Sequence, residues 1–161
     1  MASRKSKKTY NPLLPAPLLP TFGTVPIIPH NLSIVFRLSR PRTWIFPSIS
    51  FLLGYSLAGW GPPSQVGLGL AVACLVTAAT NIVNAYADRR EDAVNQPSRV
   101  FWIDRIGPGG ALASSIILYG SAIALSIYLG PLFILVLGLG IFNSLFYSLP
   151  PLRFKAKPFP S

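Results

Sequence analysis

The sequence predicts an all-α integral membrane protein, a bundle of four transmembrane helices behind an unstructured basic tail. Three observations carry this. Of 161 residues, 51% are apolar and only 11% charged, against about 25% charged in a typical soluble domain. Mean hydropathy is +0.51. The net charge is nonetheless +10, and strong basicity joined to high hydropathy points to a membrane protein with cationic flanks and not to a nucleic-acid binder.

The order of the charges sets the helices. No charged residue lies between Arg42 and Asp88, or between Arg105 and Arg153. Those gaps hold apolar segments at residues 44–60, 66–87, 111–129 and 131–149, each close to the ~20 residues needed to cross a hydrocarbon core. Gly61-Pro62-Pro63 and Gly130-Pro131 interrupt them, because Gly and Pro end helices. Trp44 and Trp60 bracket the first span, as interfacial side chains do.

With four spans, the N-terminal flank, the middle loop and the C-terminus share one side, and all fourteen Lys/Arg and all four Asp/Glu fall there. Positive-inside bias makes that side the cytoplasm, the cell membrane being the location in a prokaryote. Residues 1–30 are basic, then proline-rich, and read as a disordered cytoplasmic tail, with a transit peptide as the alternative. Asn31 to Arg42 alternates apolar and basic residues and suits a short interfacial helix.

All four acidic residues lie between Asp88 and Asp104. At about 100° per residue, Asn81, Asn84, Asp88 and Asp92 fall within roughly 80° of one another on one continuous helix. Asparagines inside an apolar span need a partner or a polar cavity. The Asn-x3-Asp-x3-Asp spacing suits a hard cation such as Mg²⁺, which takes one or two carboxylates and completes its shell with phosphate oxygens. Arg40, Arg89, Arg90, Arg99, Arg153 and Lys155 on the same side suit the remaining phosphate charge. The competing reading is an ordinary juxtamembrane loop with solvated charges.

Other chemistries lack their residues. His30 and Cys74 are each the single residue of their kind, so no His-based zinc site, Ser-His-Asp triad or internal disulfide can be assembled. Gly107-Pro108-Gly109-Gly110 lacks the lysine of a phosphate loop and reads as a turn before the third span. Gly67 and Gly69, and Gly138 and Gly140, read as helix-packing positions.

Asn84-Ala-Tyr-Ala-Asp88-Arg-Arg-Glu-Asp92-Ala-Val-Asn95-Gln-Pro97-Ser-Arg99 resembles the first aspartate-rich motif of the UbiA superfamily of intramembrane prenyltransferases. Tyr147-Ser-Leu-Pro-Pro-Leu-Arg153-Phe-Lys155 is similar to the family's signature at the end of its fourth helix. Arg40-Pro41 before Trp44 is similar to its entry into the first helix. The resemblance implies Mg²⁺-dependent transfer of a polyprenyl group from its diphosphate to an aromatic or other lipophilic acceptor. It implies Asn84, Asp88 and Asp92 as Mg²⁺ ligands, with Asp88 and Asp92 catalytic, and Arg40, Asn95, Arg99, Tyr147, Arg153 and Lys155 as substrate contacts. Asn95, Pro97 and Arg99 lean toward the chlorophyll-synthase and archaeal lipid branches.

The chain departs from the family pattern at Ala85, where many relatives carry Asp, and at Val100 to Asp104, which replaces a Pro-Ile-Pro-Ser-Gly stretch. Beyond Asp104 it has no acidic residue for a second aspartate motif. It therefore resembles the N-terminal half of such an enzyme. The expectation is a truncated or split enzyme working with a second half-protein, or a homodimer. A non-catalytic membrane fragment or scaffold is the alternative.

Overall fold

A computed structural model of the chain describes residues 30–149. The expected tail and the segment carrying Arg153 and Lys155 lie outside the described residues. In chain order come α1 (His30–Leu38), a 3-10 turn (Pro41–Thr43), α2 (Ile45–Leu57), α3 (Pro63–Ala87), α4 (Arg89–Asn95), α5 (Pro97–Ser126), a second 3-10 turn (Ile127–Leu129) and α6 (Pro131–Ser148). α3, α5 and α6 open on Pro63, Pro97 and Pro131, where the missing N–H is one that no helix could satisfy and φ is already helical. The all-α membrane bundle read from the charge gaps is the architecture observed.

α3 is the central element and packs against α1, α2, α5 and α6. Ile34 and Leu38 of α1, Ile82 and Ala85 of α3, and Ile103 and Ala111 of α5 form one buried cluster. Ala79 and Val83 of α3, Tyr119 of α5 and Ile141 of α6 form another. A polar node ties the same three long helices. The Thr80 and Tyr119 hydroxyls share a 2.9 Å hydrogen bond, and Ser144 Oγ donates to Thr80 Oγ1 at 3.2 Å, the kind of interhelical bond that specifies packing where no hydrophobic contrast with lipid exists. Gly69 lets Phe51 of α2 close onto α3, because a Cβ there would collide with the Phe51 ring; Gly67, Gly138 and Gly140 have no such neighbour. Outward-facing Phe46, Leu57, Ile116 and Leu132 are exposed, as lipid-facing side chains are.

Among the described residues three helices, where four spans were expected, are long and apolar enough to cross a membrane: Pro63–Ala87, the run Pro97–Leu129 and Pro131–Ser148. The expected first span, 44–60, contains only the 13-residue α2, about 20 Å at 1.5 Å per residue against a core of about 30 Å. Trp44 belongs to the turn before it, and Gly59, at φ 82°, ends it. The third span starts earlier than expected, since residues from Pro97 onward are already helical.

The Gly107-Pro108 turn falls inside α5, with Gly107 at φ 78°, ψ 157°. That region is essentially restricted to glycine, and its extended ψ is the one a following proline demands. A Cβ at Gly107 would meet no atom within 4 Å, so Gly107→Ala carries a backbone penalty alone, about 1–3 kcal/mol. Thermal unfolding of the variant in detergent should show that loss, and an unchanged midpoint would contradict it.

The continuous acidic stripe is also corrected. α3 ends at Ala87, and Asp88 leaves the helical region at φ −95°, ψ 10°. The turn directs α4 onto α5, where Asp92 finds Arg99.

Candidate functional site

α1 ends at Leu38 because Ser39 turns its hydroxyl onto the Phe36 carbonyl (2.7 Å) and Arg40 takes a left-handed φ of 52°. The following Pro41 disfavours the α region for Arg40. The buried Ser39 carbonyl, left without a helical partner, is then claimed twice, by Trp44 Nε1 at 3.0 Å and by Asn81 Nδ2 at 2.7 Å. Asn81 Nδ2 also donates to Thr43 Oγ1 at 2.8 Å. The asparagine inside the apolar span thus ties the entry turn of α2 to the middle of the bundle.

One turn later Asn84 serves another neighbour: its Oδ1 accepts from Ser148 Oγ at the end of α6. Asp88 follows at the next turn, in the sparsely populated bridge region where active-site residues recur. Asp92 is 6% exposed. Its Oδ2 accepts from Arg99 Nη1 at 2.8 Å, and Arg99 Nη2 donates to the Asn81 carbonyl at 2.9 Å. Arg99 therefore links α4, α5 and the last turns of α3. Its Nε is buried and has no hydrogen-bond partner among the described residues.

Two hollows flank this junction. The smaller, about 380 Å³, is lined by Tyr86, Ala87, Arg89, Arg90, Glu91 and Ser148, among others. Arg89 Nε pairs with Asp104 Oδ1 at 2.7 Å at the half-exposed surface. The larger hollow, about 910 Å³, lies between α1, the first 3-10 turn and the start of α5, and gathers Arg37, Arg40, Arg42, Arg99, Gln96 and Trp102.

The structure thus pairs Asp92 with Arg99, binds Asn84 to Ser148, keeps Asp88 at the turn between α3 and α4, and sets Arg40 in the larger hollow. Asn95 is exposed at the end of α4, and Tyr147 is exposed near the end of α6. Sequence reasoning passed over Ser148 as a partner of Asn84, although the Tyr147-Ser148 motif contains it. It counted Arg37 and Arg42 only as flanking charge.

Among the described residues no three His, Cys, Asp or Glu side chains stand together as a metal cluster. The donor types still suit Mg²⁺, an amide oxygen and a carboxylate four residues apart in sequence at Asn84 and Asp88, with phosphate oxygens to complete the shell. Asp92 is committed through Oδ2 to Arg99 and holds the junction.

The UbiA prenyltransferase family model matches residues 45–161. Digeranylgeranylglyceryl phosphate synthase of Methanoregula boonei is 31% identical over 124 residues, 77% of this chain and 43% of the relative. The bacteriochlorophyll synthase 34 kDa chain of Chloroflexus aurantiacus is 29% identical, over 74% of this chain and 40% of its own length. The lycopene elongase/hydratase of Haloarcula japonica is 32% identical, over 89% and 52%. The chain thus spans about two fifths to one half of the curated relatives it matches. No solved structure matches it. Residue pattern, helical bundle and family match agree: the chain belongs to the UbiA prenyltransferase family.

Proposed function

We propose that the chain supplies the prenyl-diphosphate half of a UbiA-type prenyltransferase, moving a polyprenyl group from its diphosphate to a lipophilic acceptor within the membrane. The observation that carries this reading is the junction at the end of α3, with Asn84 and Asp88 one turn apart and Asp92 fixed by Arg99, in a chain whose family is known.

In this reading Asn84 and Asp88 hold Mg²⁺, which supplies charge stabilisation to the departing diphosphate. Ser148, donating to Asn84 Oδ1, leaves the amide's second lone pair for a ligand and orients it. Arg90, which lines the smaller hollow, receives the diphosphate oxygens, while Arg89 is braced by Asp104. Arg99 acts through Asp92 by fixing the angle of α4. The C–O bond of the allylic diphosphate breaks with its electron pair leaving on diphosphate; the acceptor's nucleophilic atom forms the new bond to that carbon and gives up a proton. The Tyr86 ring beside the hollow suits developing positive charge on the allyl group. The apolar helices exclude water that would otherwise capture it.

The names of two relatives include a glyceryl phosphate product and a bacteriochlorophyll, which supports a bulky lipophilic acceptor for this chain. The test is transfer of label from geranylgeranyl diphosphate into the lipid fraction of membranes carrying the full chain. Label that appears with Mg²⁺ and stops in EDTA supports the reading. No transfer above membranes lacking the chain favours a non-catalytic scaffold.

A further inference from the structure

The arginine-lined hollow has a second feature that the transfer reaction does not use. It adjoins an apolar crevice of about 560 Å³, and the two share Ser33 and Phe36 of α1 as a common wall. The crevice runs along α3 past Ala78, Leu75, Cys74 and Ala71, with Trp44 and Leu118 among its other walls. Those α3 positions follow i, i+3, i+4, i+7 spacing, so they form one continuous face. From Ala78 to Ala71 the crevice descends about 10 Å into the bundle, at 1.5 Å per residue.

The hollow at its mouth is strongly one-signed. Arg37, Arg40, Arg42 and Arg99 line it, and no Asp or Glu does among the described residues. Arg37 is held with its guanidinium 4.9 Å from the centroid of the Trp102 ring, so part of the cationic wall is pre-ordered. Arg40 is kept there in a left-handed conformation that an L-residue adopts only at a cost. Arg99, a tenth exposed as a side chain, brings a buried Nε–H that no atom of the described residues accepts. Arg99 is already paired with Asp92, but the guanidiniums of Arg37, Arg40 and Arg42 around one opening repel each other unless an anion sits among them. The exposed Leu32 and Phe36 on α1 put the opening where an interfacial helix meets the bilayer surface.

A cationic mouth joined to an apolar channel fits an amphiphile with an anionic head. We propose that this face binds a membrane phospholipid with an anionic head, its phosphate among Arg37, Arg40 and Arg42 and an acyl chain in the crevice along α3. The site needs no metal and neither Asn84 nor Asp88 lines it, so it does not rest on the transfer reading.

The test is native mass spectrometry of the full chain in neutral detergent and EDTA, titrated with phosphatidylglycerol or phosphatidylcholine of identical acyl chains. The expected result is preferential retention of one phosphatidylglycerol. Arg37→Gln/Arg42→Gln should weaken it by about 30-fold, the loss of two cation–anionic lipid interactions. Leu75→Trp, which fills the crevice and leaves every arginine in place, should weaken it as well. Inorganic phosphate at millimolar concentration should not displace the lipid, because it has no chain to bury. Equal retention of the two lipids by the wild-type chain overturns the proposal, whatever the variants do. So does displacement by inorganic phosphate, which would mark a simple anion site, or by geranylgeranyl diphosphate with Mg²⁺, which would mark the hollow as the donor pocket. Because the lipid titration is done without Mg²⁺, its outcome is independent of whether the chain transfers prenyl groups.

Discussion

Replacing Arg99 by methionine is expected to lower the stability of the chain by about 3–5 kcal/mol, the cost of leaving one member of a buried ion pair uncompensated. The pair is well placed to produce so large an effect. The side chains of Arg99 and Asp92 are 10% and 8% exposed, and their contact is 2.8 Å. Arg99 also donates to the Asn81 carbonyl, so its removal frees a main-chain acceptor as well. Replacing both residues, Asp92→Leu with Arg99→Met, should recover much of the loss, because an apolar pair of similar volume avoids desolvating charge altogether. Thermal unfolding of the single and double variants in one detergent forms a cycle that isolates the pair. Nearly equal losses in the single and double variants would contradict a buried-pair role. The exposed Arg89–Asp104 pair is the control: its side chains are 54% and 45% exposed, so Asp104→Asn should cost no more than about 1 kcal/mol.

Asp88→Asn is expected to reduce prenyl transfer by about 10²-fold or more, the scale for removing one group that stabilises transition-state charge. The substitution preserves shape and removes a charge. The main-chain bonds at the turn, from the Asp88 N–H to the Asn84 carbonyl (2.9 Å) and from the Asp92 N–H to the Asp88 carbonyl (2.7 Å), do not depend on the side chain. Loss of transfer with an unchanged melting midpoint therefore assigns the effect to the carboxylate. Retained transfer would remove Asp88 from the machinery.

The helices were legible because charges are excluded from lipid, and the gaps from Arg42 to Asp88 and from Arg105 to Arg153 bounded them. Hydropathy could not distinguish a span from an apolar helix that stops short, so α2 was expected to be longer than its 13 residues. The Gly107-Pro108 break was legible but lies inside α5 and not before it. The amphipathic turns from Pro97 to Ile106 were not recognised as helix, because their charges belong to the membrane surface. The candidate residues were legible as polar groups, and their role as a site is the proposal made above. Asn84, Asp88, Asp92 and Arg99 stood out as polar groups at or beyond the end of an apolar run, and the structure pairs the last two.

Their partners were not legible. A period of about 100° per residue runs through Asp88 without interruption, so sequence pattern gave no sign that α4 would turn aside and bury Asp92 against Arg99. Asn81 was grouped with the stripe on the same pattern, yet its amide holds the Ser39 carbonyl, 42 residues away in the chain. Long-range pairing of this kind is decided by how α1 docks across α3. The hollow around Arg37 and Arg42 depends on the same docking.

The most direct measurement is the affinity of the full chain, purified in nanodiscs, for geranylgeranyl diphosphate with and without Mg²⁺, beside Asn84→Leu/Asp88→Asn. The expected result is tight binding that requires Mg²⁺ and is lost in the variant while its helical content is retained. Binding of equal strength in EDTA, or in the variant, would contradict the assignment of the end of α3 as the diphosphate site.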